Sequence, residues 1–315
     1  MNRRNFILGA SAALFAGCVN AKERPHNTLT ITDTETLLLW PQTPPGGGGP
    51  SGPMKRDKRG AISNISQPYL TVYRPKNPNG AAMLVAAGGG YKRIEMETEA
   101  HPAAQWLSER GITAFVLTYR LPHEGWNVGP LAPLQDAQRA LRLIRANAEK
   151  KGLKKNQIGV LGFSAGGHLL GLASVRADFQ SYPPQDATDN HSARPDISAL
   201  IYPIITLEAP YDHTSTAHIL IGRDADEQEA AKWSVQTYVN PQTPPMFLVQ
   251  AKDDPVSNPM NTVIMQQACE KAHVPCELHP LASGGHGFGM GKPGSPTQLW
   301  PHEFRDWLKQ RGELS

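Results

Sequence analysis

Seven short apolar runs alternating with helical patterns constrain this chain more than any other feature. The runs cover 69–73, 82–87, 113–118, 158–161, 197–202, 246–250 and 276–281. Helical patterns stand at 100–110, 134–150, 165–175, 261–273 and 301–311, the second with Ala137, Ala140, Leu141, Ile144 and Ala148 on one face. Strands that are apolar at nearly every position are buried on both sides, and strands joined through helices run parallel. The pattern predicts an α/β fold, a mainly parallel sheet with helices on both faces. Ligands of such sheets bind at the carboxyl ends of the strands, so chemistry is sought in the loops that leave those ends.

The first 66 residues read differently. Residues 1–21 begin with Arg3 and Arg4 and continue as a small-residue apolar run over 6–17, too short to span a bilayer, which predicts an export leader. Arg3-Arg4-Asn5-Phe6-Ile7-Leu8 resembles a twin-arginine export signal. Leu14-Phe15-Ala16-Gly17-Cys18 resembles a bacterial lipobox, with Phe15 where Leu is usual. Two processing routes stay open: cleavage before Cys18 with a lipid on that cysteine, or ordinary cleavage after Val19-Asn20-Ala21. Both place the protein in the periplasm or cell envelope, with a lipid on Cys18 as the one expected membrane contact. Residues 22–66 carry Pro41, Pro44, Pro45, four glycines over 46–49, Pro50, Gly52 and Pro53, a density no helix or central strand tolerates. An irregular arm or tether is expected there, with Leu37-Leu38-Leu39-Trp40 its one sticky segment, ahead of an α/β domain over 67–315.

Charge excludes one class of partner. With 31 Lys+Arg against 28 Asp+Glu the formal charge is +3, and loss of Arg3 and Arg4 with a leader cut before Cys18 lowers it to +1. A polynucleotide partner needs a far more basic surface. Metal chemistry finds no CxxC pair and no HExxH, and His213 and His218 lack the spacing of one helical face, so they read as surface histidines. Cys269 and Cys276 are compatible with a disulfide in an oxidising compartment, though their spacing does not decide whether they pair.

The most specific string is Gly162-Phe163-Ser164-Ala165-Gly166-Gly167, between the run 158–161 and the helix 165–175. A GxSxG between strand and helix is a nucleophile elbow, in which glycines beside the serine avoid collision with strand and helix. Ser164 is the candidate nucleophile, and the N–H of Ala165 is aimed to stabilise a developing oxyanion. The structural alternative is a serine that merely caps the helix. A hydroxyl needs a base, and His286, in the glycine-dense loop Ser283-Gly284-Gly285-His286-Gly287-Phe288-Gly289, follows the last strand and fits that role. A turn histidine bonded to its own loop is the bland reading of His286. His168 falls one helical turn past Ser164, where packing or a bond to a neighbouring loop suits it better. The orienting acid is expected after the run 246–250, where Asp253 and Asp254 are adjacent. Asp254 is preferred, with Asp253 read as a turn-capping or lysine-paired carboxylate. Ala87-Gly88-Gly89-Gly90-Tyr91 follows the run 82–87, and its glycines let backbone N–H groups approach a substrate oxygen. A phosphate loop is excluded there because no GxxxxGK[ST] follows.

Taken together, these residues resemble the α/β-hydrolase superfamily, and within it bacterial secreted acetyl-esterase-like proteins described as xylan acetylesterase-like. Leu39-Trp40-Pro41, Gly88-Gly89-Gly90-Tyr91, Tyr119-Arg120-Leu121-Pro122, Leu134-Gln135-Asp136-Ala137-Gln138-Arg139-Ala140, 162–168, Asp253-Asp254 and Gly285-His286-Gly287-Phe288 carry the resemblance. It implies a serine hydrolase of small acyl esters on carbohydrate, with Ser164, Asp254 and His286 as triad and Gly89, Gly90 and Ala165 around the oxyanion. It implies no metal or organic cofactor. Many relatives have His-Gly-Gly-Gly where this chain has Ala87-Gly88-Gly89-Gly90, so a different group must orient the oxyanion loop. Two regions that leave strand ends, 121–133 with Trp126 and 203–245, are expected to wall the pocket. Trp126 reads equally as a sugar-stacking ring or a buried anchor. A peptidase of the prolyl-oligopeptidase type shares the triad order, but its usual propeller or paired acids are missing. A non-catalytic glycan-binding lipoprotein would have no need of all three triad residues.

Overall fold

The computed structural model describes residues 35–313; the stretch expected to be an export leader, with Cys18, and the first part of the arm lie outside them. The chain runs β1 (Glu35–Leu38), β2 (Lys55–Arg56), β3 (Ile62–Ser63), β4 (Tyr69–Tyr73), β5 (Ala82–Ala86), α1 (His101–Ser108), β6 (Thr113–Thr118) and α2 (Leu131–Ala146). It continues through β7 (Ile158–Phe163), α3 (Ala165–Val175), β8 (Ser198–Ile201), α4 (Ser215–Ile221), α5 (Glu227–Trp233), β9 (Met246–Ala251), α6 (Met260–Lys271), β10 (Cys276–Leu281) and α7 (Trp300–Gln310). Eight strands form one sheet in the order β1-β4-β6-β5-β7-β8-β9-β10, antiparallel at β1–β4 and β4–β6 and parallel from β6 to β10. All seven apolar runs are strands of this sheet.

Burial follows the sequence pattern. Every residue of β5, β6, β7, β8 and β9 is buried, as expected of strands covered on both faces. α3 is buried all round, consistent with its apolar composition, and forms the central helix beneath the site. α7 instead turns Trp300, Phe304 and Trp307 inward, where Phe304 and Trp307 pack on Phe247 at ring-centroid distances of 5.2 and 5.5 Å. From β5 the chain crosses to β6 on one side, while β7 leads to β8 on the other. The glycine loop after β5 and Ser164 after β7 therefore flank the switch point of the sheet, where crevices open in such folds.

The stretch read as an irregular arm over 22–66 is more ordered than that where it is described. Residues 35–38 add an antiparallel edge strand to β4, and β2 pairs with β3. Extended residues with alternating exposure complete the sheet edge, which proline and glycine counting does not detect. Two helices inside 203–245, α4 and α5, are also shorter than sequence periodicity resolves. Cys269 and Cys276 are both free thiols.

One buried ion pair ties arm, sheet and helix together. Arg120, just past β6, and Asp136, on α2, have fully buried side chains with Nη2 to Oδ1 at 3.0 Å. Asp136 also accepts the Trp40 indole N–H at 2.8 Å and the Arg120 backbone N–H at 2.8 Å. The guanidinium donates further to the carbonyls of Pro45 and Ala132 and to Gln135. Each guanidinium nitrogen has an acceptor, which favours toleration of a buried pair. Asp136→Ala leaves the Arg120 charge buried and unpaired and is expected to destabilise the fold by about 3–5 kcal/mol. Urea unfolding measures this, and a loss below about 1 kcal/mol would show that water reaches the pair.

Candidate active site

Close backbone packing builds the elbow. Ser164 sits between β7 and α3 with φ 51 and ψ −118, a left-handed conformation costing a non-glycine residue about 1–3 kcal/mol. Its neighbours leave no room for side chains. A Cβ at Gly162 would lie 2.5 Å from the Gly166 carbonyl oxygen, and one at Gly166 would lie 2.2 Å from that of Ala86. The Ser164 N–H donates to the Ile201 carbonyl at 3.0 Å, locking the turn to β8.

The three residues singled out as a triad are brought together. Ser164 Oγ is 2.8 Å from His286 Nε2, and His286 Nδ1 is 2.8 Å from Asp254 Oδ2. Asp254 is held by four donors: its Oδ1 accepts the N–H groups of Val256 at 2.8 Å and Ser257 at 2.9 Å, and its Oδ2 accepts Gln250 Nε2 at 2.9 Å besides the imidazole. An ionised carboxylate only accepts, so Nδ1 of His286 carries the proton and Nε2 faces the serine as an acceptor. The structure refines the reading of Asp253. Its Oδ1 accepts the N–H groups of Gly284 and Gly285 at 2.8 and 2.9 Å, which clamps the loop carrying His286. The N–H of Gly285 is the main cause holding the Asp253 carboxyl below the usual carboxylate range.

Gly89 and Gly90 line the same cavity as Ser164 and His286, and Ala165 opens α3, whose first N–H groups have no partner within the helix. Gly88 lies directly against the serine: a Cβ there would be 2.7 Å from Ser164 Cβ. Gly89 and Gly90 adopt φ 120 and 61, which glycine reaches without strain. Two residues of this region escaped sequence reasoning. Glu99, in the short helix Met96–Ala100, is buried, and its Oε2 accepts the Gly88 N–H at 2.6 Å. Tyr202, after β8, donates to Glu99 Oε1 at 3.0 Å. Nothing in the alternation Glu95, Glu97, Glu99 marks the third as the interior one; only burial distinguishes it.

The cavity holds about 470 Å³. Its wall includes Ile204, Thr214, Ser215 and Thr216 from the 203–245 region, as expected, together with Val256. The 121–133 loop contributes nothing to that wall. Arg59 of the arm and Lys92 and Arg93 after the glycine loop stand there instead. Trp126 is a buried anchor rather than a sugar platform: it is 5% exposed, Gly49 packs on its ring and the Arg120 guanidinium lies 4.9 Å from its centroid. His168 is structural. It lies buried between the Tyr91 hydroxyl, 3.0 Å from Nδ1, and the Trp233 carbonyl, 2.7 Å from Nε2, and burial lowers its pKa to about 4.

Comparison with known proteins fits this geometry. The chain is 30% identical over 254 residues to the acetylxylan esterase of Xylanibacter ruminicola, an alignment covering 79% of this chain and 49% of that protein. It therefore spans about half the length of that relative. Among solved structures, an acetyl ester-xyloside bifunctional hydrolase from Caldicellulosiruptor lactoaceticus is 32% identical with a TM-score of 0.71, covering 87% of this chain and all of that one. Esterase 2 of Thermogutta terrifontis, 20% identical with a TM-score of 0.69, covers 90% of this chain and 96% of that one and shares the fold. The BD-FAE family model matches residues 70–269, more than half of the chain. With the sheet order, the elbow and the switch-point crevice described above, the chain is an α/β-hydrolase belonging to the BD-FAE family.

Proposed function

We propose that this protein is an exported serine esterase that removes small acyl groups, acetyl foremost, from carbohydrate esters such as acetylated xylan. The observation that carries the reading is the hydrogen-bonded chain from Ser164 through His286 to Asp254, opening on a polar cavity. His286 Nε2 takes the hydroxyl proton as Ser164 Oγ attacks the ester carbonyl. The bond to the sugar oxygen breaks as the same nitrogen returns the proton to the departing alcohol. Water then repeats the attack, releasing the acid and restoring Ser164. Backbone N–H groups of Gly89, Gly90 and Ala165 stabilise the oxyanion of each tetrahedral intermediate.

The wall composition supports a short acyl group on a hydroxylated alcohol. Threonine, serine, lysine, arginine and glutamate side chains make up most of the wall, and Ile204 and Val256 are the aliphatic side chains among its residues. The esterase and xyloside-hydrolase likenesses point to carbohydrate. A peptidase reading fits less well. Glu95 is paired with Arg93 at 2.6 Å and Glu99 is committed to Gly88 and Tyr202, so neither acid of the wall is free for a substrate ammonium. Export, with a lipid on Cys18 or cleavage after Ala21, belongs to the same proposal and rests on the character of residues 1–21.

Aryl acetate should be hydrolysed with a higher kcat/KM than aryl octanoate, because the six extra methylenes, each worth about 0.8 kcal/mol when buried, would find only Ile204 and Val256 as aliphatic side chains in the wall. Rates that rise with acyl length would replace this reading with a lipase-like one. In the same assay Asp254→Asn is expected to lower kcat by about 10⁴-fold, since an amide neither fixes the tautomer of His286 nor stabilises its imidazolium. Asp253→Asn keeps a carbonyl oxygen for the two glycine N–H groups and should stay within about threefold of the parent, whereas Asp253→Ala releases the loop and should lose about tenfold. Circular dichroism confirms folding of each variant. A crippled Asp253→Asn beside a mild Asp254→Asn would exchange the two roles.

A further inference from the structure

The loop Ala87-Gly88-Gly89-Gly90 has no polar side chain of its own, so its orientation must come from elsewhere. The nearest polar group is Glu99. Its two oxygens face different loops: Oε2 accepts the Gly88 N–H at 2.6 Å, and Oε1 accepts the Tyr202 hydroxyl at 3.0 Å. The Tyr202 oxygen in turn accepts the N–H of Gly289 at 3.0 Å, three residues past His286. The Tyr202 ring stands edge-on to the His286 imidazole at 4.9 Å and to Phe288 at 4.4 Å. One carboxylate and one phenol thus join the loop after β5, the turn after β8 and the histidine loop after β10.

Resting on the esterase reading above, we infer that Glu99 is a positioning residue, whose buried carboxylate, relayed through Tyr202, holds the oxyanion loop and the His286 loop in register with Ser164. Gly88 is where register matters most. Its Cα hydrogen faces Ser164 Cβ, and a methyl in that place would sit 2.7 Å from it, so the loop rests directly on the nucleophile. The N–H groups that follow, of Gly89 and Gly90, inherit their aim from this contact. Loss of aim is felt in the transition state, where the carbonyl oxygen carries charge, more than in the bound ester.

Charge adds a second function to the same carboxylate. Burial pushes the Glu99 pKa up to about 7, opposed by its bonds to Gly88 and Tyr202 and by the nearby His286. The other titratable groups that face it are Tyr119, whose hydroxyl donates to the Ala87 carbonyl at 2.9 Å, and Glu95 on the preceding turn. Above that pH Glu99 is ionised, accepts both bonds and favours the imidazolium formed during attack. As pH falls through it, the added proton lies on one oxygen and makes it a weaker acceptor for either Gly88 or Tyr202. Protonation of Glu99 therefore adds to the acid limb of kcat/KM, which should be steeper in the parent than in a variant that cannot titrate at position 99.

The test uses the protein with an aryl acetate. Glu99→Gln is expected to lower kcat by about tenfold to a hundredfold with KM within about twofold, and to make the acid limb shallower than the parent's. A kcat within threefold of the parent overturns the inference, as does a loss of kcat that leaves the limb as steep as before, because that is the signature of structural weakening alone. If Glu99→Gln does not fold, Tyr202→Phe carries the test: it keeps the ring beside His286 and removes only the bridging oxygen. A threefold or larger loss of kcat at constant KM supports the relay, and an unchanged kcat overturns it. Ser164→Ala separates the two layers of argument. Activity at background in Ser164→Ala with an unaffected Glu99→Gln defeats only this inference, whereas a Ser164→Ala protein that still turns over defeats the esterase reading beneath it.

Discussion

Backbone meets backbone beneath Ser164, and the rest of the site depends on that contact. The first turn of α3 approaches β5 and β7 so closely that a single methyl at Gly162 or Gly166 would collide with carbonyl oxygens. Only this approach lets the helix start immediately after the strand and holds the serine at φ 51. The strain is local, and the sheet over-determines it: Ser164 is bonded to β8 through the Ile201 carbonyl, and α3 is buried along its whole length. The role proposed for Ser164 on this rigid turn asks the same rigidity of its hydrogen-bonded partners. Asp254 supplies it through four donors, and Asp253 supplies it to the histidine loop through two.

Two of the buried charged groups among the described residues are used in different ways. Arg120 and Asp136 form a saturated pair that fastens Trp40 and Pro45 of the arm to the sheet and to α2. That pair lies away from the cavity wall and serves the fold. Glu99 has no cation in bonding contact; it is held by an N–H and a phenol, and burial raises its pKa toward neutrality. Such an arrangement is costly for stability alone, since an ionised carboxylate is desolvated for only two hydrogen bonds. Its position between Gly88 and Tyr202 places that cost beside the reacting atoms, where strained and perturbed groups concentrate.

Much of this was legible in the residues. The seven strands were visible because both faces of a parallel sheet are buried, and Val, Ile, Leu and Ala runs record that directly. Ser164 and His286 were visible because each lies among glycines that only a tight turn requires. Asp254 against Asp253 was a choice of direction, and the assignment of Asp253 as a mere turn carboxylate undervalued it, because the two glycines it clamps lie about thirty residues away in sequence. What the sequence concealed is of one kind. The edge strand at residues 35–38, the burial of Trp126 and the interior position of Glu99 are all set by contacts between distant segments. A proline-rich arm and three alternating glutamates contain no periodicity from which those contacts follow.

The central claim is that Ser164 is the atom source of the covalent intermediate, and a covalent label tests it most directly. The protein is treated with an aryl phosphonate ester, residual aryl acetate hydrolysis is followed in time, and the adduct is located by peptide mass spectrometry. The account predicts one phosphonyl group per chain, on Ser164, accumulating in proportion to the activity lost. Complete inactivation with Ser164 unmodified, or an adduct on another residue that tracks the loss, would contradict it.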